Sequence, residues 1–271
     1  MPARLTISIV LFRTSHRQLR QCLESLHFYK GSLRLYIVDN SPDDSAREQL
    51  SAGDCDVYIH RPDNPGFGRA HNLAIRQAQI DGSDYHLVVN ADVRFTSDVL
   101  APMLAYMEEH PEVGQMMPLV HYPDGRVQRL CKLVPTPADL FLRRFSSSNR
   151  REASNRRFEL HDSGYNKIMF VPYLSGCFML LRQSALQTVG LFDERFFMYP
   201  EDIDLTRRVA ERYETLFFPN VCIVHEHGAA SRRSLRMMII HVANLFRYFN
   251  KWGWVCDPIR DRLNQKTLSQ F

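Results

Sequence analysis

The sequence predicts an α/β fold built on an open, largely parallel sheet. Three observations carry this prediction. The chain has 271 residues, 45% of them hydrophobic and 24% charged, which is enough apolar material for a large core and excludes whole-chain disorder. Apolar runs with strand character alternate with segments of helical spacing through the first hundred residues. Polar clusters at 39–40, 64–69 and 90–92 each follow a strand segment, and open α/β sheets bind ligands at the carboxyl ends of their strands.

The elements follow in order. Leu5–Phe12 is a short continuous apolar run and reads as a buried strand. Leu19, Cys22, Leu23 and Leu26 recur at helical spacing, which predicts a helix reaching Phe28. Leu33–Val38 is a second strand, stopped by the loop signal Asp39-Asn40-Ser41-Pro42. Ala46–Leu50 reads as a short helix and Val57–His60 as a third strand. Asn64-Pro65-Gly66-Phe67-Gly68 is rich in turn formers, and Arg69–Ala78 then has helical spacing. His86–Val89 is a fourth strand, ending in Asn90-Ala91-Asp92, and Asp98 can cap a helix running to His110. Later, Leu205, Val209 and Ala210 mark a helix with Glu201, Asp202 and Asp204 in its first turn, and Phe217–Val224 reads as a strand. Apolar positions between Leu235 and Tyr248 predict an amphipathic helix. The expected organisation is one domain over residues 1–235, with a mobile basic loop at about 143–157 and a C-terminal amphipathic tail over 236–271.

Charge is unevenly placed. The formal net charge is +4, and the cations are mostly Arg, 29 of 34. Residues 1–142 and 158–227 are net acidic, whereas residues 143–157 and 228–271 are net +5 and +6. The basic tail, with Trp252 and Trp254 beside Arg247 and Lys251, suits either packing on the domain or contact with an anionic membrane surface. Six cysteines show no zinc spacing and no C-x-x-C pair, and Cys177 and Cys222 stand in apolar runs as expected buried thiols. No apolar stretch has the length and continuity of a membrane span or a signal peptide, so the sequence reading places the chain in the cytoplasm.

Several motif classes are excluded. There is no G-x-x-x-x-G-K-[ST] phosphate loop and no G-x-S-x-G nucleophile elbow. Gly66-Phe-Gly68-Arg-Ala-His71 has His where a dinucleotide fingerprint needs its third Gly. What remains is a set of carboxylates and one histidine at element ends. Asp92, after an apolar strand, suits a hard divalent cation that also binds diphosphate oxygens. Glu201, Asp202 and Asp204 exceed what a helix cap requires, and partial burial would make one of them a usable base. His225, in His225-Glu226-His227-Gly228, becomes a metal-ligand candidate if it faces Asp92.

The order of these motifs is more specific than any one of them. Val38-Asp39-Asn40-Ser41, Asn64-Pro-Gly-Phe-Gly-Arg-Ala-His-Asn72 and Asn90-Ala-Asp92 come first. Ser175-Gly-Cys-Phe-Met-Leu-Leu-Arg182, Gly190-Leu-Phe-Asp193, Glu201-Asp-Ile-Asp204 and His225-Glu-His-Gly228 follow. The set resembles the family 2 glycosyltransferases, especially their rhamnosyltransferase-like branch, over roughly residues 5–235. The resemblance implies a GT-A nucleotide-diphosphosugar transferase fold and an inverting, metal-dependent glycosyl transfer. It implies that Asp39 reads the pyrimidine base, and that Asn64, Gly66, Arg69, Asn90 and Asp92 line the donor. Asp92 and His225 would hold Mg²⁺ or Mn²⁺, and Asn90 stands where the usual Asp-x-Asp motif begins with Asp. Asp202 would be the catalytic base, with Glu201 and Asp204 as supporting acids. The implied donor is dTDP-L-rhamnose, with UDP-sugars as the alternative. The implied acceptor is a hydroxyl of a surface polysaccharide, lipopolysaccharide or lipid-linked glycan, with peripheral contact at the cytoplasmic face of the inner membrane. Nucleic acid is not an expected partner. A sugar-phosphate nucleotidyltransferase would need a glycine-rich loop after the first strand, where Phe12-Arg-Thr-Ser-His16 stands instead. A non-catalytic membrane- or nucleic-acid-binding module built on the basic tail would leave the ordered motifs unexplained.

Overall fold

A computed structural model describes residues 4–141, 155–226 and 235–271. Most of the basic loop read at 143–157, and the His227-Gly228 end of the histidine motif, lie outside the described residues.

Strand β1 (Leu5–Leu11) is the centre of the parallel half of the sheet. Nearly all of it is buried, as a strand covered on both faces requires. It pairs in parallel with β2 (Leu33–Asp39) and β4 (Tyr85–Asn90), and β2 pairs in parallel with β3 (Val57–His60). Register then fixes position: Leu11 lies level with Asp39, Val10 with Asn90, and Asp39 with His60. The polar residues read from sequence therefore emerge along one edge.

Helix α1 (His16–Leu26) starts earlier than its apolar spacing suggests, because Ser15 caps it by accepting from the Gln18 N–H. A one-turn α2 (Ser45–Glu48) precedes β3. Helix α3 (Phe67–Ile80) packs on β1 and is anchored by a buried polar line. Thr6 Oγ1 meets His86 Nδ1 at 2.8 Å, His86 Nε2 meets Ser8 Oγ at 2.8 Å, and Ser8 Oγ meets His71 Nδ1 at 2.7 Å. Burial pushes the His86 imidazole down to about 3 and His71 well below its ordinary range, so both rings are neutral. A two-residue β5 (Val93–Arg94) follows β4, and Asp98 then accepts from the N–H groups of Leu100 and Ala101 at the start of α4 (Leu100–Glu109).

The second half of the sheet is mixed. After β6 (Val113–His121), α5 (Pro137–Phe141) and β7 (Met169–Phe170), strand β8 (Phe178–Arg182) runs antiparallel to both β4 and β6. Because β8 enters where β4 ends, Ser175-Gly176-Cys177 is delivered beside Asn90, whose N–H donates to the Cys177 carbonyl at 3.0 Å. Helices α6 (Gln183–Val189) and α7 (Glu201–Ala210) lead to β9 (Glu214–His225), which is parallel to β6 and antiparallel to β5. The full order is β3-β2-β1-β4-β8-β6-β9-β5, with β7 on β9. Cys177 is buried as read, but Cys222 is exposed. The register of β9 against β6 slips between Phe218 and Cys222, and that bulge turns Cys222 outward.

Residues 236–271, read from sequence as a separate tail, are stitched into the body through α8 (Leu235–Trp252) and α9 (Pro258–Leu268). Tyr248 and Phe249 of α8 are buried against Phe196 and Ile203. Arg207 on α7 pairs with both oxygens of Asp257, at 2.6 and 2.5 Å, and both side chains are buried. Asn264 exchanges hydrogen bonds with the Val134 backbone, and Gln270 with the Phe170 backbone. Apolar burial and these paired polar groups give the packing on the domain that the sequence allowed.

Candidate active site

The edge where β2, β4 and β9 end carries the candidate chemistry. Asp39 is fully covered: Tyr58 Oη donates to Oδ2 at 2.7 Å and the Ser41 N–H donates to Oδ1 at 2.9 Å. Each carboxylate oxygen has a second lone pair, so a further donor such as a base N–H remains chemically acceptable. Asn40 Nδ2 reaches the Gly66 carbonyl at 3.4 Å, which joins this turn to the 64–69 loop.

That loop needs its unusual backbone. Asn64 has φ +43°, and Gly66 has φ +99°, a region that L side chains avoid. A Cβ at Gly66 would lie 2.3 Å from the Phe197 carbonyl oxygen, and one at Gly68 would lie 2.8 Å from Phe192 Cβ. The Phe67 N–H donates to the Phe197 carbonyl, and Asn72 clasps Phe192 through both its N–H and its carbonyl. The glycines thus allow the 64–69 loop to touch the segment leading into α7. Arg69 is half exposed and turned to Glu194 at 3.0 Å, a carboxylate it shares with Arg76.

Asn90 closes β4, and its carbonyl accepts from Cys22 Sγ at 3.6 Å. Asp92 is brought to His225 because Val93 pairs opposite His225 in the β5–β9 ladder. His225 Nε2 stands 3.3 Å from Asp92 Oδ1, while Nδ1 meets Gln128 Oε1 at 3.0 Å. Gln128 also donates to the His225 carbonyl at 2.6 Å, so one side chain fixes both the ring and its backbone. Burial opposes protonation of His225, but Cys177 and Asp92 beside it outweigh burial and push its pKa up to about 10. Glu226 is held away from this pair by Arg17 at 2.8 Å and Arg94 at 3.7 Å.

A carboxylate oxygen and an imidazole nitrogen this close fit a divalent cation that takes its other ligands from diphosphate and water, and such a cation would have to displace the proton that Asp92 favours on His225. Among the described residues no group of three or more His, Cys, Asp and Glu forms a complete metal cage. Asp92 and His225 would offer such a cation two ligands, and diphosphate and water would complete its shell.

The three acids of α7 have three different environments. Asp202 Oδ2 accepts from the Gly176 N–H at 3.1 Å and Oδ1 from the Ile203 N–H at 2.9 Å. Its carboxylate lines a cleft of about 690 Å³ with Ser175, Tyr199 and His225, deep in the protein yet reached by solvent. Burial raises its pKa against the opposing effect of those N–H groups and of Lys132. Glu201 is buried beneath it, with Oε2 lacking any hydrogen bond. Burial first, and the Asp202 charge second, push the Glu201 pKa up to about 8. Asp204 faces the opposite way and takes hydrogen bonds from Lys251 Nζ at 2.6 Å, Trp252 Nε1 at 2.8 Å and Arg208 Nε at 2.9 Å. It anchors α8, so of the three acids only Asp202 reaches the cleft.

The structure therefore brings Asp202 and His225 to one cleft and holds Asp92 against His225, with Asp39 and the 64–69 loop at the neighbouring strand ends. Sequence reasoning missed Gln128 and the role of Gly176. The Ser175-Gly176-Cys177 turn was a usable signal, since a Cβ at Gly176 would lie 3.3 Å from Asp202 Cβ. Gln128 stands in a polar stretch with no local signature.

Similarity to known proteins decides the family. The glycosyl transferase family 2 model matches residues 8–190. The chain belongs to glycosyl transferase family 2. It is 30% identical over 213 residues to N-acetylglucosaminyl-diphospho-decaprenol L-rhamnosyltransferase of Mycobacterium tuberculosis, covering 73% of this chain and 68% of that protein. It is 24% identical to rhamnosyltransferase WbbL of Escherichia coli, covering 73% and 75%. This family 2 member is thus a nucleotide-sugar glycosyltransferase of the rhamnosyltransferase-like kind. Solved structures show the GT-A fold. GalNAc-T7 with UDP, GalNAc and Mn²⁺ has a TM-score of 0.61 at 13% identity, over 82% of this chain and 43% of that one. Staphylococcus aureus TarS has 0.60 at 14%, over 98% and 43%. The Pyrobaculum calidifontis mannosyltransferase with GDP-Man and Mn²⁺ has 0.59 at 14%, over 98% and 74%. The chain spans less than half the length of the first two.

Proposed function

We propose that the protein transfers L-rhamnose from dTDP-L-rhamnose, with inversion, to a sugar hydroxyl of a lipid-linked glycan. The observation that carries this reading is the placement of Asp202 in the same cleft as His225, against which Asp92 stands at 3.3 Å. Asp202 takes the proton of the acceptor hydroxyl, and that oxygen attacks the anomeric carbon. The bond from that carbon to the diphosphate oxygen breaks on the opposite face, and the proton leaves Asp202 through the open cleft. The raised pKa of Asp202 brings it nearer to the proton affinity a general base needs at neutral pH. Asp92 and His225 would hold a divalent cation, which when bound would supply positive charge against that developing on the leaving diphosphate. Asp39 and the 64–69 loop hold the nucleoside end, and Asn90 closes the strand beside it.

The names of the Mycobacterium tuberculosis and Escherichia coli relatives support rhamnose as the transferred sugar, and the first also supports an acceptor carried on a lipid diphosphate. A UDP-sugar donor is the second reading, since a carboxylate at Asp39 accepts the same ring N–H from uracil and thymine. No described helix is long and apolar enough to cross a membrane. Exposed Ile239 and Val242 on one face of α8, with Val255 beyond it, support peripheral contact with a bilayer surface.

A thermal-shift panel of nucleotide sugars with Mg²⁺ or Mn²⁺ tests the donor. Ligand at about 100 times its Kd stabilises the fold by roughly 2.7 kcal/mol. dTDP-L-rhamnose should give the largest shift, and Asp92→Ala or omission of the cation should shrink it. A larger shift with UDP-sugars establishes the second reading, and no shift with any donor refutes both.

A further inference from the structure

Gln128 has a task that neither base catalysis nor donor contact explains. After β6 the chain reverses through Tyr122–Arg126, where the Tyr122 N–H donates to the Arg126 carbonyl at 2.8 Å, and returns with Val127 bridged to His121. The Gln128 N–H donates to the Val120 carbonyl at 2.8 Å, and the residue is buried, only 2% exposed. An apolar side chain would fill this place without the desolvation that a buried amide must offset by pairing its polar atoms.

The partners of Gln128 determine which way round its amide lies. One end faces two carbonyl oxygens, that of His225 at 2.6 Å and that of His121 at 3.4 Å. Carbonyls only accept, so this end is the NH₂ group and the other is Oε1. Oε1 stands 3.0 Å from His225 Nδ1. An amide oxygen also only accepts, so Nδ1 carries the proton of this hydrogen bond. The backbone of β6 and β9 thus orients the amide, and the amide orients the imidazole. The ring's other nitrogen, Nε2, is the one 3.3 Å from Asp92 Oδ1.

Asp92 pulls the proton the opposite way. Beside a carboxylate, a neutral imidazole gains from carrying its proton on Nε2, and that tautomer has no lone pair there for a cation. An acceptor at Nδ1 shifts the balance back.

We propose that Gln128 is a positioning residue for the cation site: its amide oxygen keeps the His225 proton on Nδ1 and so makes Nε2 the ligand atom. This rests on the cation reading given above and adds how the ligand atom is chosen. Gln128 belongs to the wall of the cleft that holds Asp202, so the segment facing the acceptor also carries the residue that sets the donor-side ligand.

Mn²⁺ binding to protein saturated with nucleoside diphosphate, measured by calorimetry, tests this together with nitrogen NMR of ¹⁵N-histidine-labelled protein. In the wild type loaded with Mg²⁺ and nucleoside diphosphate, His225 should show Nδ1 protonated and Nε2 without a proton. Gln128→Met, similar in length but without either polar group, should weaken Mn²⁺ binding roughly 10- to 100-fold, the usual effect of removing such an outer partner. Gln128→Glu, whose carboxyl can accept from Nδ1, should recover most of that affinity. A role in packing alone would lower the unfolding temperature of Gln128→Met and leave its Mn²⁺ affinity unchanged. That result, equal weakening in Gln128→Glu and Gln128→Met, or a proton on Nε2 in the Mg²⁺-loaded wild type overturns the role of Gln128. The NMR measurement on the wild type decides the matter even if Gln128→Met does not fold. Wild-type protein that binds no Mn²⁺ in the presence of nucleoside diphosphate refutes the cation site itself, and the role of Gln128 with it.

Discussion

Glu201 and Asp202 are neighbours in sequence with opposite tasks. Asp202 is held by two N–H groups at the cleft floor, while Glu201 is buried with one oxygen unpartnered. A buried acid whose pKa is raised to about 8 keeps its proton at neutral pH while the unfolded chain releases it. Between the ordinary glutamate range and about pH 8 the folded state therefore binds more protons than the unfolded state. Its stability contribution is full at low pH and is lost as pH rises through this window, by at most about 1.4 kcal/mol per pH unit. Glu201→Gln, which mimics the protonated acid, should remove that slope in chemical denaturation measured from pH 5 to 8. A variant with the wild-type slope would show that Glu201 is ionised in the fold. At this scale the sequence showed which residue types gather, but not which acid faces which way. Three carboxylates within one helical turn look alike until the tail helix claims Asp204 and burial claims Glu201.

Elements bring these residues together through register. The parallel pairing of β1, β2 and β4 sets Asp39 and Asn90 at one edge, and that much was legible from strand-end polar clusters. The antiparallel β8 and the β5–β9 ladder were not legible, because they pair segments far apart in sequence. Yet they deliver Gly176 to Asp202 and His225 to Asp92. The sequence allowed two readings of the tail, packing and membrane contact, but the buried ion pair that fastens it to the body was not legible in its basic composition. Arg207 and Asp257 form two hydrogen bonds, and the guanidinium lies 4.0 Å from the Trp252 ring centroid. Asp257→Ala strips the buried guanidinium of both its carboxylate hydrogen bonds, with Glu211 standing 3.9 Å away, and should cost roughly 3–5 kcal/mol. Urea denaturation reads this directly. A loss below about 1 kcal/mol, the level of an exposed pair, would show that water reaches Arg207.

The whole molecule places an apolar helix face, a basic hairpin and a base-bearing cleft on one body. Asn244 of α8 donates to the Met198 carbonyl, and Tyr199 lines the cleft, so the helix with the exposed face also buttresses the site. Replacing Ile239 and Val242 together by Asp should weaken sedimentation with anionic vesicles without lowering the unfolding temperature, since both side chains are exposed. Equal sedimentation would remove α8 from the membrane reading. Among the described residues, cations stand on a hairpin beside Asp202 and in the packed tail, and Arg69 is tied to Glu194. The central claim is that Asp202 removes the acceptor's proton in this cleft. The most direct measurement is transfer by Asp202→Asn, made alongside donor affinity and the anomeric configuration of the wild-type product. The account predicts turnover reduced by about 10²–10⁴-fold, unchanged donor affinity and an inverted product. Turnover retained in Asp202→Asn, or a product with the donor's configuration, would contradict it.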